Sequence, residues 1–229
     1  MAAPIGHIFL SLVMLSNQLS DKNQKAFIIG TSFPDIRHIA KIDRDKTHCA
    51  QVTLDQVKKA KTSFQAGYLF HSLVDELREK YLQKHNVYDI APESKYTPFC
   101  LKLFEDQLLF QKIKNLAGIA YYFNSVEPEE YDFGISKKDI KKWHSFLKHY
   151  CNNQNTAKNL IAFYFYCANN YIPKIICKAI ATAMTSLNIF PDSIKEIMKV
   201  MQEIQTNEKL KKILLDFYDN FDTIVTSEF

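Results

Sequence analysis

One segment, from Ser63 to Lys84, restricts the fold more than any other part of this sequence. Its apolar residues recur at helical spacing, and a threonine at position 53 or 62 can cap the helix that follows. We therefore predict one long helix over 63–84. Within it lies Gly67-Tyr-Leu-Phe-His71-Ser-Leu-Val-Asp75, in which two polar side chains interrupt an apolar run.

Residues that break helices are scarce in the rest of the chain. The sequence has 5 Gly and 7 Pro in 229 residues, which favours long helices with short connections. No alternating strand pattern persists for more than a few residues. We predict an all-α fold, a compact multi-helix bundle. We expect a single domain over 1–229, in which 1–85 carries a metal-site segment and 86–229 completes the bundle.

Further helices follow from periodicity and capping residues. Residues 22–33 should be helical until a break that begins at Gly30, and Thr97 with Pro98 should begin a helix as N-cap and first residue. Ser136 with Asp139 resembles a capping box. Two stretches, 36–47 and 87–98, are predicted to be an exposed loop and a connection. The remaining helices are predicted at 5–19, to about 114 for the helix after Pro98, 115–123, 136–150, 156–169, 172–187, 192–204 and 207–221.

Charge and cysteine usage exclude some classes of protein. The formal net charge of +4 is too small for the concentrated basic footprint of a nucleic-acid-binding protein. The five cysteines are widely spread and none has CxxC spacing, which is typical of free thiols in a reducing compartment. No apolar run is long enough to span a bilayer, and no signal peptide is evident. We predict a cytoplasmic protein, although a non-classical export signal would escape this reasoning.

The pair formed by His71 and Asp75 has two interpretations. Residues four apart on a helix lie on one face, one turn from each other. An imidazole and a carboxylate in this arrangement supply half of a divalent metal site. The same two residues could instead form a buried structural pair, in which the histidine is hydrogen-bonded to the aspartate.

Other candidate ligands are concentrated in the first third of the chain. His7 lies at a helix start, Asp35 in a turn after Pro34, and His48 at the end of the charged loop. In a helical bundle these elements can converge on one point, and mixed His and carboxylate ligands suit zinc. Each residue can also be interpreted without a metal: His7 as a structural histidine at a helix start, Asp35 as a turn residue, and His48 as a surface histidine.

Together these residues resemble those of a known enzyme family. Gly6-His7, Phe27-Ile-Ile-Gly30-Thr-Ser-Phe-Pro34-Asp35-Ile, Thr47-His48 and the Gly67 to Asp75 helix stand in the order and spacing of the zinc-dependent phospholipase C family. The resemblance covers residues 5–85. It implies the all-α fold that this family shares with P1-type nucleases.

The resemblance also implies roles for individual residues. Asp35, His48, His71 and Asp75 match the ligands of a first zinc ion. Asp75 also matches a carboxylate that bridges to a further metal, shared with His7, and in secreted members the mature N-terminal amine completes that site. Asp35 is in addition the candidate catalytic carboxylate, which would orient a water molecule or take its proton. One to two Zn²⁺ ions are expected.

The chain departs from the family pattern after Asp75. Arg78 follows where another histidine is expected, and the next histidine is His85. The later His144 and His149 do not stand in a His-x-x-x-Glu motif, and both are predicted on the edge of an amphipathic helix. The metal cluster is therefore expected to be incomplete.

We predict a zinc-dependent phospholipase C-like hydrolase whose substrate is a phospholipid or another phosphodiester. Peripheral contact with a membrane is compatible with this prediction. Two alternatives stay open. The protein could be a non-catalytic helical protein that keeps the fold and at most one metal site, or a phosphohydrolase or nuclease of other specificity.

Overall fold

The computed structural model describes residues 2–153 and 192–227, and the secondary structure of these residues is helical, with no strand. This confirms the all-α prediction; the phospholipase C type of bundle and the single domain remain predictions. The α-helices are α1 Pro4–Asn17, α2 Gln24–Ser32, α3 Arg37–Ala40, α4 Leu54–Lys59, α5 Ser63–Lys84, α6 Val87–Ile90, α7 Thr97–Phe110, α8 Leu116–Tyr122, α9 Lys137–Cys151, α10 Asp192–Thr206, α11 Glu208–Asp219 and α12 Phe221–Ser227. The described residues also form three short 3₁₀ helices, at Pro34–Ile36, Arg44–Lys46 and Pro128–Phe133.

Helix α5 has the bounds that its sequence predicts. Thr62 caps it by accepting a hydrogen bond from the backbone N–H of Gln65. Thr53 caps the preceding helix α4 through a capping box with Gln56, so each threonine caps its own helix. Most apolar residues of α5 lie in the main core beside those of α1 and α2, and Leu82 belongs to a second group of buried apolar residues. The helix is therefore the centre of the N-terminal part of the structure.

The close contact between helices α2 and α5 depends on two glycines. A Cβ atom at Gly30 would lie 2.1 Å from the carbonyl oxygen of Phe64, and one at Gly67 would lie 2.0 Å from that of Phe27. Any side chain would therefore force the two backbones apart. Thr31 strengthens the contact, since its hydroxyl donates to the carbonyl oxygen of Gly67 over 3.1 Å.

Several predicted boundaries were wrong. Gly30 does not break α2, because its place in the contact with α5 keeps it helical as far as Ser32. The stretch 36–47 holds α3 and a 3₁₀ helix, and Lys41 ends α3 in the left-handed conformation. Residues 87–98 include α6. Thr97 lies inside α7 and donates to the carbonyl oxygen of Pro92 rather than acting as an N-cap.

The C-terminal part follows its predicted pattern more closely. Asn115 caps α8 and Ser136 caps α9 by accepting from the backbone N–H of Asp139. Helices α10 and α11 pack with α7 around a second group of buried apolar residues. The predicted helices over 156–169 and 172–187 lie outside the described residues. None of the helices in the described part of the chain is both long and apolar enough to cross a membrane.

Candidate metal centre

The contact between α2 and α5 fixes the orientation of the His71 ring. Its Nδ1 atom lies 2.8 Å from the carbonyl oxygen of Thr31. A carbonyl oxygen can only accept, so Nδ1 carries the proton and donates it. The neutral ring then has its lone pair on Nε2, which points away from α2. Metal-binding histidines commonly have such a second hydrogen bond, because it fixes the tautomer.

The segment after the second 3₁₀ helix brings His48 to the same place. The backbone N–H of Cys49 donates to the hydroxyl of Ser72 over 3.0 Å, which ties this segment to α5. The Nδ1 atom of His48 lies 3.0 Å from the hydroxyl oxygen of Thr47, so its Nε2 atom faces the cluster. There it lies 3.1 Å from the Nε2 atom of His71. His48 is buried, which contradicts the reading of a plain surface histidine.

Asp75 lies between the imidazoles and uses both carboxylate oxygens. Its Oδ2 atom is 3.6 Å from Nε2 of His71 and 3.7 Å from Nε2 of His48. Its Oδ1 atom is 3.4 Å from Nε2 of His7 and accepts the backbone N–H of Ala2 over 2.9 Å. The two oxygens therefore face two different groups of residues.

His7 is a fully buried histidine without hydrogen bonds to either ring nitrogen. Its helix is held in place by Asp106, which accepts the backbone N–H groups of Ile5 and Gly6 over 3.1 and 2.8 Å. Burial raises the pKa of Asp106 to about 7. A buried polar group without a partner costs about 1–3 kcal/mol. A ligand that bound a ring nitrogen of His7 would remove part of this cost.

The His7 and His71 rings are stacked, with centroids 3.9 Å apart and planes 14° from parallel. The lone pair of an imidazole nitrogen lies in the plane of its ring. The Nε2 atoms of His7 and His71 therefore lie in different ring planes, and Asp75 approaches each of them with a different oxygen.

Asp35 completes one of the two groups. It lies in the first 3₁₀ helix, directly after α2, and its ligand atom is within 4.8 Å of those of His48 and His71. Its buried Oδ1 atom has no hydrogen bond and is 3.7 Å from Nε2 of His38. A second group of atoms within the same limit joins His7, His71 and Asp75.

The separations suit a metal ion. Ligand atoms 2.0–2.1 Å from a tetrahedral ion lie about 3.3 Å apart, and the contacts of Asp75 and His48 described above span 3.1–3.7 Å. Imidazole nitrogens with carboxylate oxygens form a donor set that zinc accepts. The unpartnered atoms of His7 and Asp35 fit the same interpretation. These buried His and Asp groups could hold a metal ion.

The protonation states also suit a metal ion. Burial lowers the pKa of His71 to about 3, with a further contribution from His7, and lowers that of His48 to about 4, with a further contribution from Arg44. Burial opposes ionisation of Asp75, but the neighbouring His71 and His7 outweigh it and hold its pKa well below the usual value. At neutral pH the imidazoles of His48 and His71 are neutral and the carboxylate of Asp75 is charged, as metal binding requires.

All five predicted ligands, His7, Asp35, His48, His71 and Asp75, thus meet in one place. Sequence reasoning missed Arg44, whose Nη2 atom is 3.1 Å from Oδ2 of Asp75. It also missed the two threonines at 31 and 47 that orient the rings. The pair Thr47-His48 was visible in the sequence, but nothing there showed that the hydroxyl would contact the ring.

The prediction that the two later histidines lie on a helix edge was wrong for His144. His144 is buried rather than on a helix edge, and its Nε2 atom lies 2.7 Å from Oε2 of Glu130. Glu130 lies in the third 3₁₀ helix, so this pair joins two elements that sequence spacing cannot relate. His149 lies in the last turn of α9. Neither residue belongs to a group of three candidate metal ligands within the described part of the chain.

The fold and the site define an all-α protein with a buried cluster of three histidines and two aspartates suited to a metal ion. Comparisons with family models, with characterised proteins and with solved structures each gave no match.

Proposed function

We propose that the protein is a zinc-dependent, phospholipase C-like hydrolase that cleaves the phosphodiester of phospholipid headgroups. The observation that carries the proposal is the convergence of His7, Asp35, His48, His71 and Asp75 in one buried cluster. The order and spacing of the same residues in the sequence, which resemble those of the zinc-dependent phospholipase C family, support the choice of metal and substrate.

The cluster offers ligands for one to two zinc ions. Asp35, His48, His71 and Asp75 would hold the first, and His7 with the other oxygen of Asp75 would hold the second. When bound, zinc supplies Lewis-acid activation of a water molecule and of a phosphoryl oxygen. Thr31 and Thr47 orient the two imidazoles and thereby fix the direction from which they bind.

Asp35 is the residue best placed to handle a proton. About 15% of its side chain is exposed, against 3% for Asp75, so a substrate arriving from solvent meets Asp35 first. Burial opposes its ionisation, but the neighbouring His71 and other histidines outweigh this effect and lower its pKa below the usual value. The ionised carboxylate can orient a water molecule toward phosphorus or accept its proton.

A second candidate is a non-catalytic protein with at most one metal ion. The observation that favours it is the ion pair between Arg44 and Asp75, which partly compensates the carboxylate without a metal. A phosphohydrolase or nuclease of other specificity would use the same cluster on a different phosphodiester. The experiments below distinguish these candidates.

Metal analysis is the first test. Protein purified without added zinc should contain one to two equivalents of metal, and a chelator should lower its free energy of unfolding. With free ion at about a hundred times the dissociation constant, this loss is about 2.7 kcal/mol. If metal is absent and the chelator leaves unfolding unchanged, the metalloenzyme proposal is wrong.

Headgroup release from phospholipid vesicles is the second test. We expect release by the wild type, loss of release by His71→Ala, and wild-type release by His85→Ala. His85 is the matched control, because it lies at the end of the same helix and is exposed. If metal is present but neither lipid nor nucleotide diesters are cleaved, the non-catalytic candidate is favoured. Equal release by wild type and His71→Ala would exclude this cluster as the active site.

A further inference from the structure

Arg44 places a positive charge at the candidate metal centre. Its Nη2 atom lies 3.1 Å from Oδ2 of Asp75, within hydrogen-bond distance. The same oxygen faces Nε2 of His71 at 3.6 Å and Nε2 of His48 at 3.7 Å. The Asp75 side chain is 3% exposed, whereas the Arg44 side chain is 45% exposed. The guanidinium therefore reaches from solvent to the oxygen that would bind the first zinc ion.

The backbone of Arg44 positions His48 independently of this ion pair. Its carbonyl oxygen accepts the backbone N–H of Thr47 over 3.0 Å and that of His48 over 2.9 Å. Both hydrogen bonds use the main chain of Arg44 and leave its side chain out. The side chain can therefore turn toward solvent while His48 keeps its place beside His71.

A metal ion and the guanidinium would oppose each other at this oxygen. A zinc ion bound to Oδ2 of Asp75 would lie about 2 Å from it, and therefore at most about 5 Å from Nη2 of Arg44. Like charges at this distance repel, and the repulsion is stronger beside a buried carboxylate than in water. The ion therefore weakens the ion pair, and the ion pair weakens metal binding by the same free energy.

We propose that Arg44 is an internal competitor of the metal ion, which pairs with Asp75 in the metal-free protein and turns outward when the ion binds. This inference concerns the regulation of the site and rests on the proposed function for the identity of the ion. The competition should concern one position. The other oxygen of Asp75 faces His7 and accepts the backbone N–H of Ala2, so we expect the position beside His7 to respond less.

Zinc titration of Arg44→Met in competition with a chelator tests the proposal. The substitution removes the charge and the donors but keeps an unbranched side chain. We expect one zinc ion to bind about tenfold more tightly than in the wild type, the low end for one hydrogen bond to a charged group. Metal-free Arg44→Met should also unfold at a lower denaturant concentration, because Asp75 loses a partner. A purely structural arginine would lower both stability and zinc affinity, so opposite changes identify competition.

Two control variants separate local competition from a general effect of charge. Lys46→Met removes an exposed cation from the same 3₁₀ helix and should bind zinc as the wild type does. Arg44→Lys keeps a positive charge that can make a single contact with Asp75. Its zinc affinity should stay close to that of the wild type.

Tighter zinc binding by Arg44→Met than by both control variants supports the inference. Equal or weaker binding by Arg44→Met, or no binding by any of these proteins, would overturn it. Failure of the proposed function has a different signature, since zinc affinity would then respond to Arg44 while no phosphodiester is cleaved. Conversely, headgroup release by the wild type with a zinc affinity indifferent to Arg44 would leave the enzyme and exclude the competitor.

Discussion

Helix α5 carries two buried polar groups less than one turn apart, and they differ in how their hydrogen-bonding needs are met. Downstream, Arg78 donates to both carboxylate oxygens of Glu105 over 2.8 and 2.7 Å, and the hydroxyl of Tyr218 donates to the same carboxylate over 2.8 Å. Upstream, the cluster around Asp75 contains His7, whose two ring nitrogens have no hydrogen bond, and Asp35, whose buried Oδ1 atom has none.

This difference separates a structural group from a candidate functional one. The downstream group is complete within the protein, because each charge has an opposite charge and a hydrogen bond in good geometry. In the upstream cluster the ring nitrogens of His7 and the Oδ1 atom of Asp35 have no hydrogen bond, and the candidate ligand atoms lie within 4.8 Å of one another in two groups. Both groups are buried, so burial does not distinguish them. The ligand atoms without hydrogen bonds make the upstream cluster the candidate functional site.

The largest expected effect comes from breaking the downstream ion pair. Arg78→Met should lower the free energy of unfolding by about 3–5 kcal/mol, because it leaves the charge of Glu105 buried without a partner. The measurement is denaturant unfolding with and without added zinc. We expect the same loss in both conditions, since the ion pair does not depend on a metal.

The matched variant is the double substitution Arg78→Met with Glu105→Leu. Removing both charges should recover most of the lost stability, as replacement of a buried ion pair by apolar side chains is often close to neutral. A double variant as unstable as the single one would mean that packing of the long Arg78 side chain, rather than its charge, holds this region together.

The upstream cluster could be predicted from the sequence and the downstream one could not. Candidate ligands are rare residue types, and their positions relative to Gly30, Pro34 and Gly67 form a recognisable order. The pairing of Arg78 with Glu105 joins residues on α5 and α7, and neither residue type nor spacing identifies the partner. The same reason explains why the pair of His144 with Glu130 was missed.

The errors in helix boundaries have a related cause. Gly30 predicts a break because glycine is unfavourable in an isolated helix. In the folded protein, the tertiary contact with α5 keeps this residue helical. The position of Thr97 before Pro98 predicts an N-cap, but its hydroxyl donates a hydrogen bond to the carbonyl oxygen of Pro92 instead. Helices with long periodic segments, above all α5, depend less on such contacts and were predicted well.

The next prediction concerns pH, to which the upstream cluster should respond. The pKa of His71 is about 3 in the folded protein and about 6.5 when unfolded. As pH falls below about 6.5, the unfolded chain gains a proton that the folded one excludes. Stability is thus present above that pH and is lost toward the folded pKa. Between about pH 7 and pH 5 the expected loss from His71 is about 2 kcal/mol.

Unfolding of metal-free His71→Gln tests this assignment. Its stability should depend less steeply on pH between about 7 and 5 than that of the wild type. His85→Ala is the control and should keep the wild-type slope, because His85 is exposed. Identical slopes for wild type and His71→Gln would mean that His71 is charged in the folded protein, which is incompatible with its proposed role as a metal ligand.

The smallest expected effect comes from the threonine that orients His48. Thr47→Val keeps the shape of the side chain but removes the hydroxyl 3.0 Å from Nδ1 of His48. Loss of such an orienting partner typically weakens metal affinity by about 10–100-fold, and we expect the lower end because Asp75 and His71 still position the ring. Zinc affinity is the measurement, by competition with a chelator.

Thr226→Val, on the exposed face of α12, is the control and should bind zinc as the wild type does. In metal-free Thr47→Val the Nδ1 atom of His48 loses this partner, so the free energy of unfolding should fall by about 1 kcal/mol, the low end for one unsatisfied buried group. If zinc affinity is unchanged, Thr47 does not orient the ligand, and the upstream cluster is less preorganised than its distances indicate.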